Sequence, residues 1–131
     1  MIGLDTNILV RYLTQDDPLQ SLQATEIIER RLTEEAPGFV SIVAMVEIVW
    51  VLERAYGLPA HRIAAAVERM LQTDVLVIEN EQEVFTAMIA LKEGQGSFAD
   101  CVIAGLSARA GCSCTLTFDR KAARLSGFEL P

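Results

Sequence analysis

A chain of 131 residues is long enough to bury one core and needs no second part, so we expect a single domain over residues 1–131. The apolar fraction of 51% excludes a disordered chain, and the net charge of −7 excludes a protein that coats nucleic acid with a basic surface. If the protein meets nucleic acid, a divalent cation is the obvious candidate to offset its acids.

The apolar segments do not have the form of a membrane or export signal. Phe39 to Leu52 is the longest apolar run, but it is too short to span a bilayer and contains Glu47. Met1 to Asp5 lacks the basic segment and following apolar stretch of a secretory signal. We therefore expect a cytoplasmic protein with no membrane segment.

The cysteines do not have the spacing of a zinc site. Cys112 and Cys114 form a C-x-C pair, and the only histidine, His61, lies far away in sequence. We expect these thiols, together with Cys101, to be reduced and to lie in or near the core.

The chain begins with a short strand followed by two helices. Met1 to Leu4 is apolar and ends at Asp5, and Asn7 to Leu13 has helical spacing. Asp17 to Glu35 begins with Asp-Pro, a helix-start signal, and is predicted as one helix that stops before Pro-Gly. Its predicted inward residues are Leu19, Leu22, Ile27, Ile28 and Leu32.

The middle of the chain repeats this order. Phe39 to Ser41 is a short strand or the start of the next helix. Ile42 to Tyr56 is apolar almost all round, which indicates a helix that is buried or shared with a partner. Pro59 to Leu71 is predicted as a further helix. Val75 to Ile78 is short, apolar and rich in β-branched residues, and is predicted as a strand.

Two helices are predicted next. Asn80 with Glu83 resembles a capping box and opens a helix that reaches Lys92. Ser97 is a suitable N-cap for an amphipathic helix over Ala99 to Ala110, and Gly111 follows, as is common just past a helix end.

The chain ends with two predicted strands around a short basic helix. Cys114 to Phe118 alternates apolar and polar residues, which predicts a strand with Asp119 at its carboxyl end. A short helix over Arg120 to Leu125 and a last strand over Phe128 to Leu130 complete the chain. The alternation of strands and helices predicts an α/β sandwich around a mainly parallel sheet.

Three acids lie at boundaries between elements. Asp5 and Asp119 both precede a helix, where aspartate is a preferred N-cap, and the helix dipole favours Asp100 in a first turn. In open α/β sheets, however, ligands gather beyond the carboxyl ends of the strands, where Asp5 and Asp119 are expected. Both roles remain open for these residues.

Glu47 is a fourth acid of a different kind, because it is the only polar residue between Ile42 and Leu52. An isolated buried charge is very costly, so we expect its carboxylate to be paired, protonated or bound to a metal. The partner is either an arginine such as Arg11 or Arg54, or a cleft shared with the other acids. Such acids, without zinc ligands, suit Mg²⁺ or Mn²⁺.

Four fragments in this order resemble the PIN domain family and, within it, the VapC-like toxins. They are D-T-N at Asp5 to Asn7, the lone Glu47, F-A-D-C-x-I-A at Phe98 to Ala104, and T-F-D at Thr117 to Asp119. The resemblance covers nearly the whole chain. It implies a three-layer α/β sandwich with a short, mainly parallel sheet, and a metal-dependent ribonuclease that is the toxin of a toxin–antitoxin pair.

The resemblance also implies residue roles and partners. It makes RNA the substrate and implies a small antitoxin that covers the groove and places a basic side chain among the acids. Cys101 departs from the family, which often has alanine there, and a thiol beside a metal ligand raises the question of oxidation. The implied Mg²⁺ or Mn²⁺ ligands and catalytic acids are Asp5, Glu47, Asp100 and Asp119, with Asn7 and Thr117 as polar supports.

Other functions fit the residues less well. An aspartyl phosphotransferase needs a second acid two residues after the first, where this chain has Asn7. A receiver domain needs a lysine after a late strand, and Lys92 and Lys121 are not suitably placed. No phosphate-binding G-x-x-x-x-G-K-[ST] motif is present. The main alternative is a catalytically inactive PIN-like module that binds metal, RNA or a partner.

Self-association is also expected from the apolar helix. Met45, Val49 and Trp50 extend its apolar surface beyond what one core face needs, and exposed patches of that kind mark interfaces. We therefore expect a homodimer.

Overall fold

Parallel strands connected by helices make up this chain, which confirms the predicted α/β class. The computed structural model describes all residues from Met1 to Pro131 and contains six α-helices and five short strands. The chain divides into two units, Met1–Glu81 and Gln82–Pro131, which are described in turn. No helix in either unit is both long enough and apolar enough to cross a membrane.

The first unit contains a parallel sheet of three strands in the order β1 (Ile2–Gly3), β2 (Gly38–Val40) and β3 (Leu76–Ile78). At the start of β2, a Cβ at Gly38 would lie 2.7 Å from Leu4 Cδ1 and 2.8 Å from Leu32 Cδ1, so a larger residue there would displace these side chains. Phe39 to Ser41 was predicted as a short strand or the start of the next helix, and the structure shows a strand there. The candidate site begins just past the carboxyl ends of these three strands.

The first unit also contains four α-helices: α1 (Thr6–Thr14), α2 (Pro18–Glu26), α3 (Ile42–Arg54) and α4 (Ala60–Leu71). Helix α1 contacts α2 and α3, and α4 contacts α3 and β3. The largest fully buried side chains of this unit come from α1, β2, α3 and α4 and are Leu9, Val40, Met45, Ile48, Leu52, Ile63 and Val67. The predicted strands and helices of this half are present, with small changes at their ends except in α2.

The second helix begins as predicted but does not continue as one α-helix. Asp17 accepts a hydrogen bond from the Gln20 N–H at 2.8 Å, as an N-cap does. The α-helix ends at Glu26, and a π-helical turn over Ile27–Arg31 follows it. The prediction of one helix to Glu35 was therefore wrong at its end.

The inward face of α2 also differs from the prediction. Leu19 and Leu22 are exposed, whereas Ser21 and Ala24 are buried. Small side chains at the buried positions allow α2 to lie close to α1, which larger leucines would prevent. The predicted burial of Ile28 and Leu32 is confirmed.

Helix α3 is amphipathic although its sequence is almost entirely apolar. Its inner face consists of Ala44, Met45, Ile48, Val49 and Leu52. Val43 is 74% exposed and Trp50 59% exposed, and Glu47 lies between them on the same outer face. Met45 and Val49 were thus wrongly assigned to an outward apolar surface, because the spacing 44, 45, 48, 49 and 52 places them in the core stripe.

The second unit contains α5 (Glu81–Lys92), α6 (Phe98–Arg109), β4 (Thr115–Leu116) and β5 (Phe128–Glu129), with α5 beginning one residue before the boundary. Strands β4 and β5 are parallel neighbours, and a 3₁₀ turn over Ala122–Arg124 lies between them in sequence. The predicted helices and strands are again present, with the basic helix reduced to this turn.

Two local predictions in the second half were wrong. Asn80 has a φ of 52°, a left-handed conformation, and Glu83 accepts a hydrogen bond from Arg109 at 2.9 Å, so these residues do not form a capping box. Leu116 and Phe118, the apolar positions of the predicted alternation, are exposed.

Candidate functional site

The carboxyl ends of β1, β2 and β3 place three polar side chains along one edge of the sheet. Asp5 follows β1, Ser41 follows β2 and Glu79 follows β3. The ladder continues past the strands, because the Leu4 N–H donates to Phe39 O at 2.9 Å and the Glu79 N–H donates to Val40 O at 2.9 Å. This is the edge at which ligands of open α/β sheets gather.

Asp5 is both an N-cap and a residue of this edge. Its Oδ1 accepts a hydrogen bond from the Thr6 N–H at 2.8 Å, which begins α1. The side chain is otherwise exposed. The capping role is therefore present, and the second carboxylate oxygen has no protein hydrogen bond.

Thr6 connects the first acid to Glu47. The Thr6 side chain is buried, and its Oγ1 donates a hydrogen bond to Glu47 Oε1 from a position 41 residues earlier in the chain. The Thr6 backbone N–H binds Asp5 and its hydroxyl binds Glu47, so one residue holds both carboxylates. Of the four predicted acids, Asp5 and Glu47 are the two that lie in the first unit.

Glu47 lies beside Thr6 at the candidate site, but its predicted burial was wrong. Its side chain is exposed, so the apolar neighbours in sequence do not bury it. Arg11 is not its partner either, because Arg11 Nη1 pairs with Asp16 Oδ1 at 3.1 Å. Arg54 is exposed at the end of α3. The partner of Glu47 is the hydroxyl of Thr6.

Asn7, the expected polar support, is exposed and lines a cavity of about 640 Å³ beside α1 and α2. Arg11 and Gln20 also line this cavity, and Arg11 Nε donates to Gln20 Oε1 at 2.9 Å. The Asn7 side chain makes no hydrogen bond to either acid of the first unit. A supporting role for Asn7 therefore stays a prediction.

The second unit carries the other two acids at its own element boundaries. Asp100 lies in the first turn of α6, where its backbone N–H donates to Ser97 Oγ at 3.0 Å, which confirms Ser97 as the N-cap. Its carboxylate is half-exposed and makes no protein hydrogen bond. Asp100 thus has the dipole-favoured position expected of it and a free carboxylate.

Asp119 follows β4 in an exposed turn. Its Oδ1 accepts hydrogen bonds from the Lys121 N–H at 2.8 Å and the Ala122 N–H at 3.3 Å, which caps the 3₁₀ turn. Thr117 supports it, because Thr117 Oγ1 accepts from the Asp119 N–H at 3.0 Å. The polar support predicted at Thr117 thus acts on the backbone of Asp119.

Cys101 lies next to Asp100 and is half-buried. Burial raises the pKa of its thiol, and the neighbouring Asp100 charge raises this pKa further. A raised pKa favours the thiol over the thiolate, which is the form that oxidants attack. The three cysteines are free, as expected, but Cys112 is exposed, so its predicted place in or near the core was wrong.

The donor chemistry of the acids fits a hard cation. All four predicted ligands offer carboxylate oxygens, which Mg²⁺ and Mn²⁺ prefer. Within each unit, no group of three or more histidine, cysteine, aspartate or glutamate side chains is arranged to hold a metal ion. Asp5 and Glu47 lie in the first unit, and Asp100 and Asp119 lie in the second.

Two residues of this edge, Thr6 and Glu79, were not predicted from the sequence. Thr6 lies inside the D-T-N fragment, and its small polar side chain before an apolar helix was a usable signal. Glu79 follows a predicted strand, as Asp5 does, and the same rule would have selected it. Their partners lie 41 and 37 residues away, which spacing alone does not reveal.

A comparison with protein families gave a match over nearly the whole chain. The PIN domain family matches residues 2–127, which include the four acids and both strands that precede Asp5 and Asp119. A comparison with curated proteins gave no match. Because the family match spans nearly the whole chain, this protein belongs to the PIN domain family.

Proposed function

We propose that this PIN domain is a metal-dependent endoribonuclease that hydrolyses phosphodiester bonds in RNA. PIN domains are generally nucleases and typically use divalent metal ions, which supports a hydrolase. The observation that carries the proposal is the joining of Asp5 and Glu47 by the buried Thr6 at the carboxyl edge of the sheet. The packing of α3 does not by itself require Glu47, because its carboxylate is exposed. Thr6, at the start of α1, nevertheless holds this carboxylate in one orientation.

The proposed metal ligands are the four acids, Asp5, Glu47, Asp100 and Asp119. A bound Mg²⁺ or Mn²⁺ supplies positive charge that polarises a phosphoryl oxygen and favours deprotonation of water. This charge also offsets the net charge of −7, which otherwise repels RNA.

The chain itself orients the carboxylates. Thr6 holds Glu47 through Oε1, so Oε2 remains available to accept a hydrogen bond or to bind a cation. Asp5 commits Oδ1 to the Thr6 N–H and leaves Oδ2 available in the same way. No histidine base is needed in this scheme, and the only histidine, His61, is exposed on α4.

We also propose that the protein is the toxin of a toxin–antitoxin pair and forms a homodimer. The outer face of α3 presents Val43 and Trp50 on either side of Glu47, so a partner that covers these apolar residues also covers the acid. An antitoxin with a basic side chain at this position would pair with Glu47. Light scattering at micromolar concentration and co-purification from the native host test the two partners separately.

Cleavage of an RNA panel tests the enzymatic proposal. Wild-type protein is assayed with chelator, Mg²⁺ or Mn²⁺, beside Asp5→Asn, Asp100→Asn and the control Asp74→Asn, which changes an exposed acid without a side-chain hydrogen bond. We expect metal-dependent cleavage by wild type and the control only, with native far-UV circular dichroism in all four. Equal cleavage by Asp100→Asn would indicate a contaminating nuclease or a misplaced site.

The inactive binding module is distinguished by the same assay. Such a module binds Mn²⁺ or RNA in titrations yet cleaves no RNA with any cation. Sequencing of the cleaved ends after induced expression then identifies the RNA target, which surface loops rather than the acids select.

A further inference from the structure

Glu79 bonds to the start of α3 from a neighbouring strand. It is the first residue after β3, and its Oε1 accepts a hydrogen bond from the Ile42 N–H at 2.8 Å. Its own backbone N–H donates to Val40 O at 2.9 Å. The main chain and the side chain of Glu79 therefore hold the two residues on either side of Ser41, where β2 ends and α3 begins.

The start of α3 thus has two caps with different consequences. Ser41 Oγ accepts from the Ala44 N–H at 3.1 Å, a local cap within the same segment. Glu79 supplies a negatively charged acceptor for the Ile42 N–H, which is a helix N-terminal donor without an intrahelical partner. A local cap moves with its helix, whereas Glu79 ties the helix to the sheet.

Helix α3 carries Glu47 five residues after this bond. At about 1.5 Å of rise per residue, Glu47 lies about 7.5 Å along the axis from Ile42. Thr6 holds the side chain of Glu47, so α3 is tied to the sheet edge at Glu79 and to the start of α1 at Thr6. A shift of α3 of about 1 Å is enough to disturb a catalytic arrangement.

We infer that Glu79 is a positioning residue, which sets the place of Glu47 by holding the N-terminus of α3. This inference rests on the proposed function for the role of Glu47 but not for the bond itself. The rival roles for Glu79 are a fifth metal ligand and a cap that affects stability alone.

Three variants distinguish these roles. Glu79→Gln keeps an oxygen acceptor for the Ile42 N–H and removes the charge, whereas Glu79→Ala removes both. Glu53→Ala is the matched control, because it removes an exposed glutamate from the other end of α3. Thermal melts first establish the temperature at which all four proteins are folded.

Amide hydrogen exchange tests the hydrogen bond between the Ile42 N–H and Glu79 and does not depend on enzymatic activity. We expect the Ile42 amide to lose protection in Glu79→Ala and to keep most of it in Glu79→Gln and Glu53→Ala. Amides of α4 such as Val67 serve as internal references. Unchanged Ile42 exchange in Glu79→Ala would overturn the inference, because the bond would then not hold the helix.

Mn²⁺ affinity and the rate of RNA cleavage test whether loss of the Glu79 bond disturbs Glu47. Supporting residues around a metal ligand typically contribute roughly 10-fold to 100-fold in affinity or rate, so we expect a loss of about 10-fold in Glu79→Ala and near-complete rescue in Glu79→Gln. Equal losses in both variants would indicate that the charge ligates or steers the cation, which overturns the positioning role. Wild-type affinity in Glu79→Ala also overturns it.

Failure of the proposed function gives a different pattern. A wild-type protein that binds no Mn²⁺ and cleaves no RNA overturns the enzymatic proposal and the link from Glu79 to catalysis. The exchange of the Ile42 amide still decides whether Glu79 holds α3.

Discussion

Glu47 on α3 and Glu83 on α5 have opposite relations to their sequence neighbours. Glu47 is surrounded in sequence by apolar residues and is exposed. Glu83 follows two polar residues, Glu81 and Gln82, yet its side chain is only 9% exposed. It pairs with Arg109 Nη1 at 2.9 Å, and its Oε2 is buried without a partner.

Packing explains both positions. The inner face of α3 is filled by five apolar side chains, so Glu47 lies on the opposite face, beside Thr6. On α6, Gly105 makes room for Glu83, because a Cβ there would lie 3.2 Å from Glu83 Cγ. The outward carboxylate of Glu47 is thus accessible to a ligand, whereas the buried carboxylate of Glu83 is held by its packing and by Arg109.

The same substitution in both regions tests this distinction most directly. We expect Glu47→Gln to lower metal-dependent RNA cleavage at least about 100-fold, because a metal ligand matters at least as much as the residues that support it. Glu83→Gln removes the same charge and keeps an acceptor for Arg109, so its cleavage rate should stay near that of wild type. Similar losses in the two variants would contradict the comparison.

Thermal stabilisation by Mn²⁺ is a second test that distinguishes Glu47 from Glu83. A ligand that binds only the native state at about 100 times its dissociation constant adds roughly 2.7 kcal/mol, or a rise in melting midpoint on the order of 10 °C. Wild type and Glu83→Gln should show this rise, and Glu47→Gln should show much less. An equal rise in all three proteins would place the cation elsewhere.

Removal of Arg109 should affect stability and not the site. Arg109→Ala leaves the Glu83 carboxylate buried without its partner, and we expect the free energy of unfolding to fall by about 2 kcal/mol. Arg109 is 63% exposed, which keeps the loss below that of a fully buried pair. Urea unfolding measures it, with Arg120→Ala as an exposed control. A loss no larger than that of the control would mean that Glu83 needs no partner.

Local signals in the sequence predicted most element starts. Ser97 and Asp17 are N-caps as expected, because an N-cap bonds to backbone groups two or three residues away. The capping box at Asn80 failed because Glu83 reaches Arg109, a partner on another helix. A capping signal within one helical turn therefore predicts the helix start correctly here, unless a residue far away in sequence bonds to the same side chain.

The sequence could not predict which carboxylates are bonded. The bonds from Thr6 to Glu47 and from Ile42 to Glu79 join residues far apart in the chain, and both depend on the strand order. The helical stripe of α3 was readable from its spacing, but an almost wholly apolar helix gives little contrast between faces. The sequence selects candidate acids, but it does not reveal their environments.

Asp16 adds an intermediate case, because it is partly exposed like Glu47 and bonded like Glu83. Its side chain is 41% exposed, and Tyr56 Oη and Thr14 Oγ1 donate to its carboxylate at 2.6 Å and 2.8 Å. These hydrogen bonds, first that of Tyr56, lower the pKa of Asp16 from 3.8 to about 2, and the Arg11 charge contributes less.

A lowered folded-state pKa means that the Asp16 carboxylate stabilises the fold at pH values above its unfolded pKa of 3.8, and that this stabilisation is lost as pH falls to about 2. We therefore expect Asp16→Asn to melt below wild type at pH 5, with the difference shrinking from about pH 4 and vanishing near pH 2. Tyr56→Phe, which removes the strongest donor, should show a smaller difference over the same pH range. A gap that stays constant from pH 5 to pH 2 would mean that the loss does not come from the ionised Asp16 carboxylate, and no gap at pH 5 would mean that partial exposure cancels the bonds.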